Sequence, residues 1–343
     1  MLVQFRRRSG ASESAGRVDL SPRRSRDVVN TLTVQTASHP AAKALREFGY
    51  APNMPNSNVR LFNADGTLTL VDERAGSTAA SRVTIAPHRG ALVKSFRVRG
   101  RELLYLDEAT FMDPAKNVRG GIPVLFPSPG KLEQDSWQQA GRSGVMKQHG
   151  FGRTLPWKVA ATAPDGRSAT LSLESSESTL PQYPWAFEAE MEFALNAACL
   201  RITTRVRNTG TEAMPFGLGF HPYFQVGDKA RVAVSTNATR AYDSVAKQAI
   251  AFAGFDLTAA EVDVRLLDHS LQSSELSLGD GTRVVLRASP QFTQWVVWTL
   301  AGKEFVCLEP WTAPGNAFNT GEGLISLAPG GEKSLWMEIE FVE

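Results

Sequence analysis

The chain has 343 residues, 42% of them apolar and 21% charged, the composition of a globular protein long enough to bury a large core. A formal net charge of +2 argues against nucleic acid as the main partner. The excess is confined to the first 30 residues, where seven arginines against Glu13, Asp19 and Asp27 give +4 and leave the rest slightly acidic. No apolar run approaches the 18 or so residues of a membrane-spanning helix, so no membrane partner is expected.

Residues 1–55 are rich in Arg, Ser, Ala, Pro and Asn and lack sustained periodicity, apart from a short helical pattern at 41–48. They read as a disordered or loosely attached extension. The arginines at 6–8 are not followed by the apolar stretch that a secretory signal needs. Cys199 and Cys307 lie far apart, form no CxxC pair and sit in strand-like apolar surroundings. Buried free thiols in a reducing compartment are expected, and with them a cytoplasmic location.

Residues 56–343 read as one all-β domain. Short β-prone runs at 68–71, 82–85, 91–98 and 103–106 alternate with turn signals. An irregular stretch, 113–153, follows; prolines and glycines break it throughout, and loops of that length inside a compact domain are generally functional. Further strands are predicted at 156–162, 169–174, 186–195, 200–206, 232–235, 283–287, 294–300, 305–308 and 335–342. With helical periodicity nearly absent and no fixed repeat, the expected architecture is a large antiparallel β-sandwich whose loops gather into a cleft.

Candidate chemistry lies in four stretches. In Phe216-Gly-Leu-Gly-Phe-His-Pro-Tyr-Phe224 the proline biases the backbone of His221 towards extended conformations and the glycines permit a close approach, so the imidazole can be aimed for proton transfer. The plainer alternative is a histidine satisfied in a turn. In Val306-Cys-Leu-Glu-Pro-Trp311, Glu309 follows an apolar run, where partial desolvation would raise its pKa and make it a better base; the alternative is a strand-end carboxylate paired with a surface cation. The irregular stretch adds Arg119 before two glycines, then His149 and Arg153 in Gln148-His-Gly-Phe-Gly-Arg153. These can hold hydroxyls or phosphate oxygens, or else stand as cations in a solvated loop. Phe126, Phe151, Tyr223, Phe224 and Trp311 are candidates to cover a sugar ring, and equally candidates for the core.

No phosphate-binding glycine loop, dinucleotide fingerprint, H-E-x-x-H zinc pattern or serine elbow occurs, so neither cofactor nor metal is expected. What remains is cofactor-free proton shuttling.

Arg119-Gly-Gly-Ile-Pro-Val-Leu-Phe-Pro127, His149-Gly-Phe-Gly-Arg153 with Pro156-Trp157, Phe220-His-Pro-Tyr-Phe224, and Leu308-Glu-Pro-Trp311 leading to Leu327-Ala-Pro-Gly330 together resemble the aldose 1-epimerase, or galactose mutarotase-like, superfamily over roughly 80–343. The resemblance implies an antiparallel supersandwich and mutarotation of a sugar or sugar phosphate, with Glu309 as base, His221 as acid, and His149, Arg119, Arg153, Tyr223 and Trp311 on the substrate. The arginine strings are similar to the hexose-6-phosphate 1-epimerase branch, in which arginines hold the phosphate. The Asn-Arg string of galactose-type enzymes is absent, and the family's acidic sugar ligand has three candidates here: Asp243, Asp256 and Asp263. The alternatives are a non-catalytic carbohydrate-binding protein on the same scaffold, or a sugar lyase or isomerase component, for which no tyrosine or lysine base stands out. No exposed seam for a second copy is visible, so the sequence leaves the oligomeric state open.

Overall fold

Apolar and polar residues in alternation make a strand with one buried and one wet face. Strand Phe187–Asn196 buries Phe187, Ala189, Met191, Phe193 and Leu195, and its hairpin partner Cys199–Asn208 buries Leu200, Ile202, Thr204 and Val206. The computed structural model describes residues 62–74 and 79–343; the expected extension, 1–55, and the helical pattern within it lie outside the described residues.

Two eight-stranded antiparallel sheets dominate. The first runs in the order Ala233–Ser235, Ser273–Ser277, Arg283–Ala288, Glu332–Val342, Cys199–Asn208, Phe187–Asn196, Ser168–Glu174, Lys158–Thr162, with the last strand of the chain in its middle. The second runs Gln248–Ala251, Arg240–Asp243, Glu261–Leu266, Gln294–Leu300, Phe305–Trp311, Gly219–Phe220, Val124–Leu125, and Tyr223–Gln225 also pairs with Phe305–Trp311. Their inner faces share one core. Ile202, Leu335, Met337 and Ile339 come from the first sheet and Val264, Leu266, Trp295, Val297, Val306 and Leu308 from the second, each contributing about 1.5–3 kcal/mol on burial.

A four-stranded sheet of Leu68–Asp72, Ser81–Ala86, Leu92–Val98 and Arg101–Glu102 completes the main framework. The strand predicted at 103–106 leaves that sheet after Leu103, whose N–H still donates to the Phe96 carbonyl. There the chain crosses to the second sheet instead, with Tyr105 N–H donating to the Tyr223 carbonyl and Gln225 N–H to that of Leu103. Strands Arg240–Asp243, Gln248–Ala251, Glu261–Leu266 and Ser273–Ser277 are additions to the sequence reading. Among the described residues no helix is long and apolar enough to cross a membrane.

Candidate active site

Strand Phe305–Trp311 lies inside the second sheet and is buried along its whole length. Its two faces are chemically distinct: Val306 and Leu308 enter the sandwich core, while Cys307 and Glu309 turn to the outer face, with Phe305 and Trp311 at either end. The antiparallel register fixes what stands opposite. Gly219 pairs with Trp311 and Tyr223 with Cys307, so the same register sets His221 across from Glu309. On its other edge the His221 N–H donates to the Pro123 carbonyl at 3.0 Å. Pro222 has no N–H to give the ladder, which is why the paired stretch splits at the histidine.

This register brings His221 Nδ1 to 3.4 Å from Glu309 Oε1. Tyr223 stacks on the imidazole, ring centroids 4.7 Å apart and 9° from parallel, and Trp298 meets it edge-on at 5.8 Å. Trp311 Nε1 donates to Glu309 Oε2 at 3.2 Å. Gly219 makes room for that indole: a Cβ there would stand 2.7 Å from Trp311 Cδ1.

The irregular stretch supplies the other side. His149 has φ +69° and is followed by Gly150 at +67°, where a Cβ would collide with the Phe126 carbonyl oxygen at 2.2 Å. The doubled left-handed turn swings His149 against the pair, 5.6 Å from the His221 ring and 5.7 Å from Trp311. Gly130 N–H donates to His149 Nδ1 at 3.0 Å, so that nitrogen is unprotonated and the neutral ring carries its proton on Nε2. The neighbouring Gln148 amide, 3.1 Å from Nε2, must therefore present its oxygen.

Arg153, half-buried, donates from Nη2 to the Gln148 carbonyl, while its buried Nε has no partner among the described residues. Arg119 is exposed and lies over the Trp298 ring at 5.5 Å. Neither guanidinium has a carboxylate partner among the described residues, and each is close enough to feel the other's charge.

Burial dominates the electrostatics. It pushes the Glu309 carboxyl well above the ordinary range, helped by nearby Asp263 and opposed by Trp311 and Arg153. It lowers His221, with Arg153 and Arg119 adding to the effect. Both shifts act against charge, favouring a protonated carboxyl beside a neutral imidazole, and the same proton can also sit on the imidazole beside a carboxylate. His149 is held neutral by burial and by Arg153.

All seven sequence-predicted site residues thus fall in one neighbourhood. Phe126, Phe151 and Phe224 do not belong with them; they are core residues, at most 3% exposed. Of the three candidate acids, Asp256 is bound to Thr258 in an exposed loop and Asp243 caps its own turn. Asp263 stands in register with Trp298, and through it with Cys307, on the outer face, where burial raises its pKa. The alternation Glu261-Val-Asp-Val-Arg-Leu266 marks a half-exposed strand, and only the register across Trp298 singles Asp263 out of its polar residues. Sequence reasoning misses Trp298 and the placement of Cys307, which is free and buried, but against the His–Glu pair rather than in the sandwich core. A cavity of about 440 Å³ lined by Lys131, Lys147, Gln148 and Arg153 adjoins the site; another of about 420 Å³, around Asn196, Cys199 and Glu340, holds no comparable pair.

Two packed antiparallel sheets thus hold a buried histidine and glutamate in contact on adjacent strands, an acid/base pair on an all-β scaffold. The aldose 1-epimerase family model matches residues 76–340, and the chain belongs to that family. It is 33% identical over 153 residues to a Cenchrus ciliaris protein provisionally described as a glucose-6-phosphate 1-epimerase, covering 42% of this chain and 43% of that one. A Salmonella typhimurium protein with the same description is 31% identical over 161 residues, 46% of this chain and 50% of its own. The chain thus spans about half the length of these curated relatives. Among solved structures, the Slr1438 protein of Synechocystis superposes with a TM-score of 0.77 at 34% identity, over 84% of this chain and 98% of that one. A galactose mutarotase-like protein of Lactobacillus casei, at 22% identity and TM-score 0.67 over 81% and 100%, shares the fold.

Proposed function

We propose that the chain is a mutarotase that interconverts the α and β anomers of a hexose, with a hexose 6-phosphate as the best-fitting substrate. The observation that carries the reading is the buried contact between His221 Nδ1 and Glu309 Oε1 at 3.4 Å, with two arginines alongside that lack carboxylate partners among the described residues. O1 and the ring oxygen of an aldose are bonded to the same carbon, so two groups in contact with each other can serve both atoms.

In the ion-pair form, Glu309 takes the proton of the anomeric hydroxyl while His221 protonates the ring oxygen. The C1–O5 bond breaks, the electrons of the O1–H bond become the aldehyde π bond, and the pair is left as a carboxylic acid and a neutral imidazole. Rotation about C1–C2 presents the other carbonyl face, and closure runs the two proton transfers backwards. The pair is regenerated in each cycle without outside protons, and each member contributes about 10²- to 10⁴-fold. His149, neutral and protonated on Nε2, donates to a sugar hydroxyl; Asp263 accepts from another. Arg119 and Arg153 hold the phosphate, in keeping with the descriptions of the Cenchrus and Salmonella relatives.

Anomeric exchange by saturation-transfer NMR on glucose, galactose and glucose 6-phosphate tests this directly. Exchange above the spontaneous rate is expected, fastest on glucose 6-phosphate, and lost in His221→Ala. A folded protein that accelerates none of the three would exclude the mutarotase and leave a sugar-binding protein.

A further inference from the structure

Donor atoms of His221, Cys307 and Glu309 all lie within 4.8 Å of one another, and all three residues are buried. Proton shuttling uses the histidine and the glutamate and has no role for a thiol. A second observation marks the cluster as a place for a ligand: His221 Nδ1 is buried without a hydrogen-bond partner among the described residues, in a residue only 8% exposed. It faces Glu309 Oε1 across 3.4 Å without forming a hydrogen bond. We propose that this cluster binds a thiophilic divalent cation, Zn²⁺ above all, through His221 Nδ1, the Cys307 thiolate and one Glu309 oxygen, and that the bound ion switches the site off.

The geometry suits a tetrahedral ion. Metal–nitrogen and metal–oxygen bonds near 2.0–2.2 Å put neighbouring N and O ligands about 3.3 Å apart, the spacing already present between His221 and Glu309. The edges to sulfur need about 3.5 Å, so the thiol closes by little more than about 1 Å from its upper limit. One nitrogen, one sulfur and one oxygen select zinc-like ions over Mg²⁺ or Ca²⁺, which prefer all-oxygen shells.

Charge makes the same selection. Binding releases the thiol proton and the proton of the pair to solvent, and the thiolate and carboxylate then cancel both charges of the ion. Arg119 and Arg153, whose charges reach this cluster, oppose any cation left uncompensated. With His221 Nδ1 and one Glu309 oxygen committed to the metal and the pair's proton released, the pair has no proton left to pass to the ring oxygen. This inhibitory half rests on the mutarotase reading; the binding half does not.

The test titrates the full chain, freed of metal by chelator, with Co²⁺ as a spectroscopic probe and with Zn²⁺ during anomeric exchange. Wild type and Cys199→Ser should give the near-ultraviolet thiolate-to-cobalt charge-transfer absorption; Cys307→Ser and Cys307→Ala, checked for folding by circular dichroism, should lack it. Zn²⁺ should abolish exchange in wild type. The Cys307 variants should keep their basal rate and need about 100-fold more Zn²⁺, since losing a direct ligand should cost at least as much as losing an outer-shell partner. Absence of the band in wild type, or a band that survives both Cys307 variants, would overturn the proposal. A wild type that binds cobalt through Cys307 but accelerates no sugar would keep the metal site and sink the mutarotase instead.

Discussion

On the outer face of the sheet that holds Cys199–Asn208, arginines and glutamates neutralise each other across strands: Arg201 with Glu338 at 2.6 Å, Arg287 with Glu340 at 2.7 Å, Arg205 with Glu190. On the outer face of the sheet that holds Phe305–Trp311 the pattern is reversed. Arg265 donates to the neutral amide of Gln294, Arg119 lies over Trp298, Arg153 reaches a backbone carbonyl, and the carboxylate Glu309 is buried against a histidine. Two sheets with the same kind of inner face thus treat charge in opposite ways. One pairs Arg201, Arg205 and Arg287 with carboxylates of its own strands. The other keeps donors and a proton unspent, as a preorganised site must.

The sharpest way to break that contrast is to remove the proton pair. Glu309→Gln and His221→Ala should each lower the anomeric exchange rate by about 10²-fold or more with the fold intact by circular dichroism. A variant that kept wild-type turnover would remove its residue from the mechanism. Next in size is Arg153→Ala. A hydrogen bond to a charged group contributes about 1.5–3 kcal/mol, so KM for glucose 6-phosphate should rise by about 10-fold or more while KM for glucose moves little. Equal losses on both sugars would put Arg153 against the ring rather than the phosphate.

The buried pair also predicts an inverted stability profile. Glutamate and histidine titrate near about 4.3 and 6.5 in an unfolded chain. Burial pushes the native carboxyl up and the native imidazole down, so the native pair retains a proton to higher pH than the unfolded glutamate does. Above pH 6.5 the unfolded chain has lost both protons while the native pair keeps one, so stability falls as pH rises. Glu309→Gln carries no such proton. Its Tm should exceed that of wild type at pH 8, by about 2–4 °C for each kcal/mol relieved, and the gap should narrow towards pH 6. A gap that widened towards pH 6 would mean that Glu309 is ionised without a proton on its partner. Trp311→Phe should act more gently. Losing the indole donor to Glu309 removes a bond that favours the carboxylate, so the alkaline limb of the exchange profile should move up by about one pH unit.

How much of this was legible in the sequence follows from what each residue depends on. Strands such as 200–206 announce themselves because alternation is local, and the pairing of His221 with Glu309 follows from two motifs that each carry a recognisable turn or strand end. Asp263 and Trp298 depend on register across three strands, which no local pattern encodes. Cys307 looks like a core thiol because its neighbours Val306 and Leu308 are core residues; only the face it takes distinguishes it. Phe126 and Phe151 fail as sugar platforms for the converse reason: they flank site residues in sequence, yet the turns at Gly150 and Pro127 send them inward.

The smallest expected effect is the control for the whole comparison. Arg201 pairs with Glu338 and covers the Trp336 ring at 4.2 Å, a well-formed contact on an exposed face. Exposed pairs contribute about 0.2–1 kcal/mol and cation–π contacts at the surface a similar amount. Arg201→Ala should therefore lower Tm by a few degrees at most and leave anomeric exchange within experimental error. If it slowed exchange as Arg153→Ala does, the paired sheet would also be serving the substrate, and the division of labour between the two outer faces would fail. An unchanged rate with a slightly lower Tm would leave the unpaired arginines as the ones reserved for a ligand.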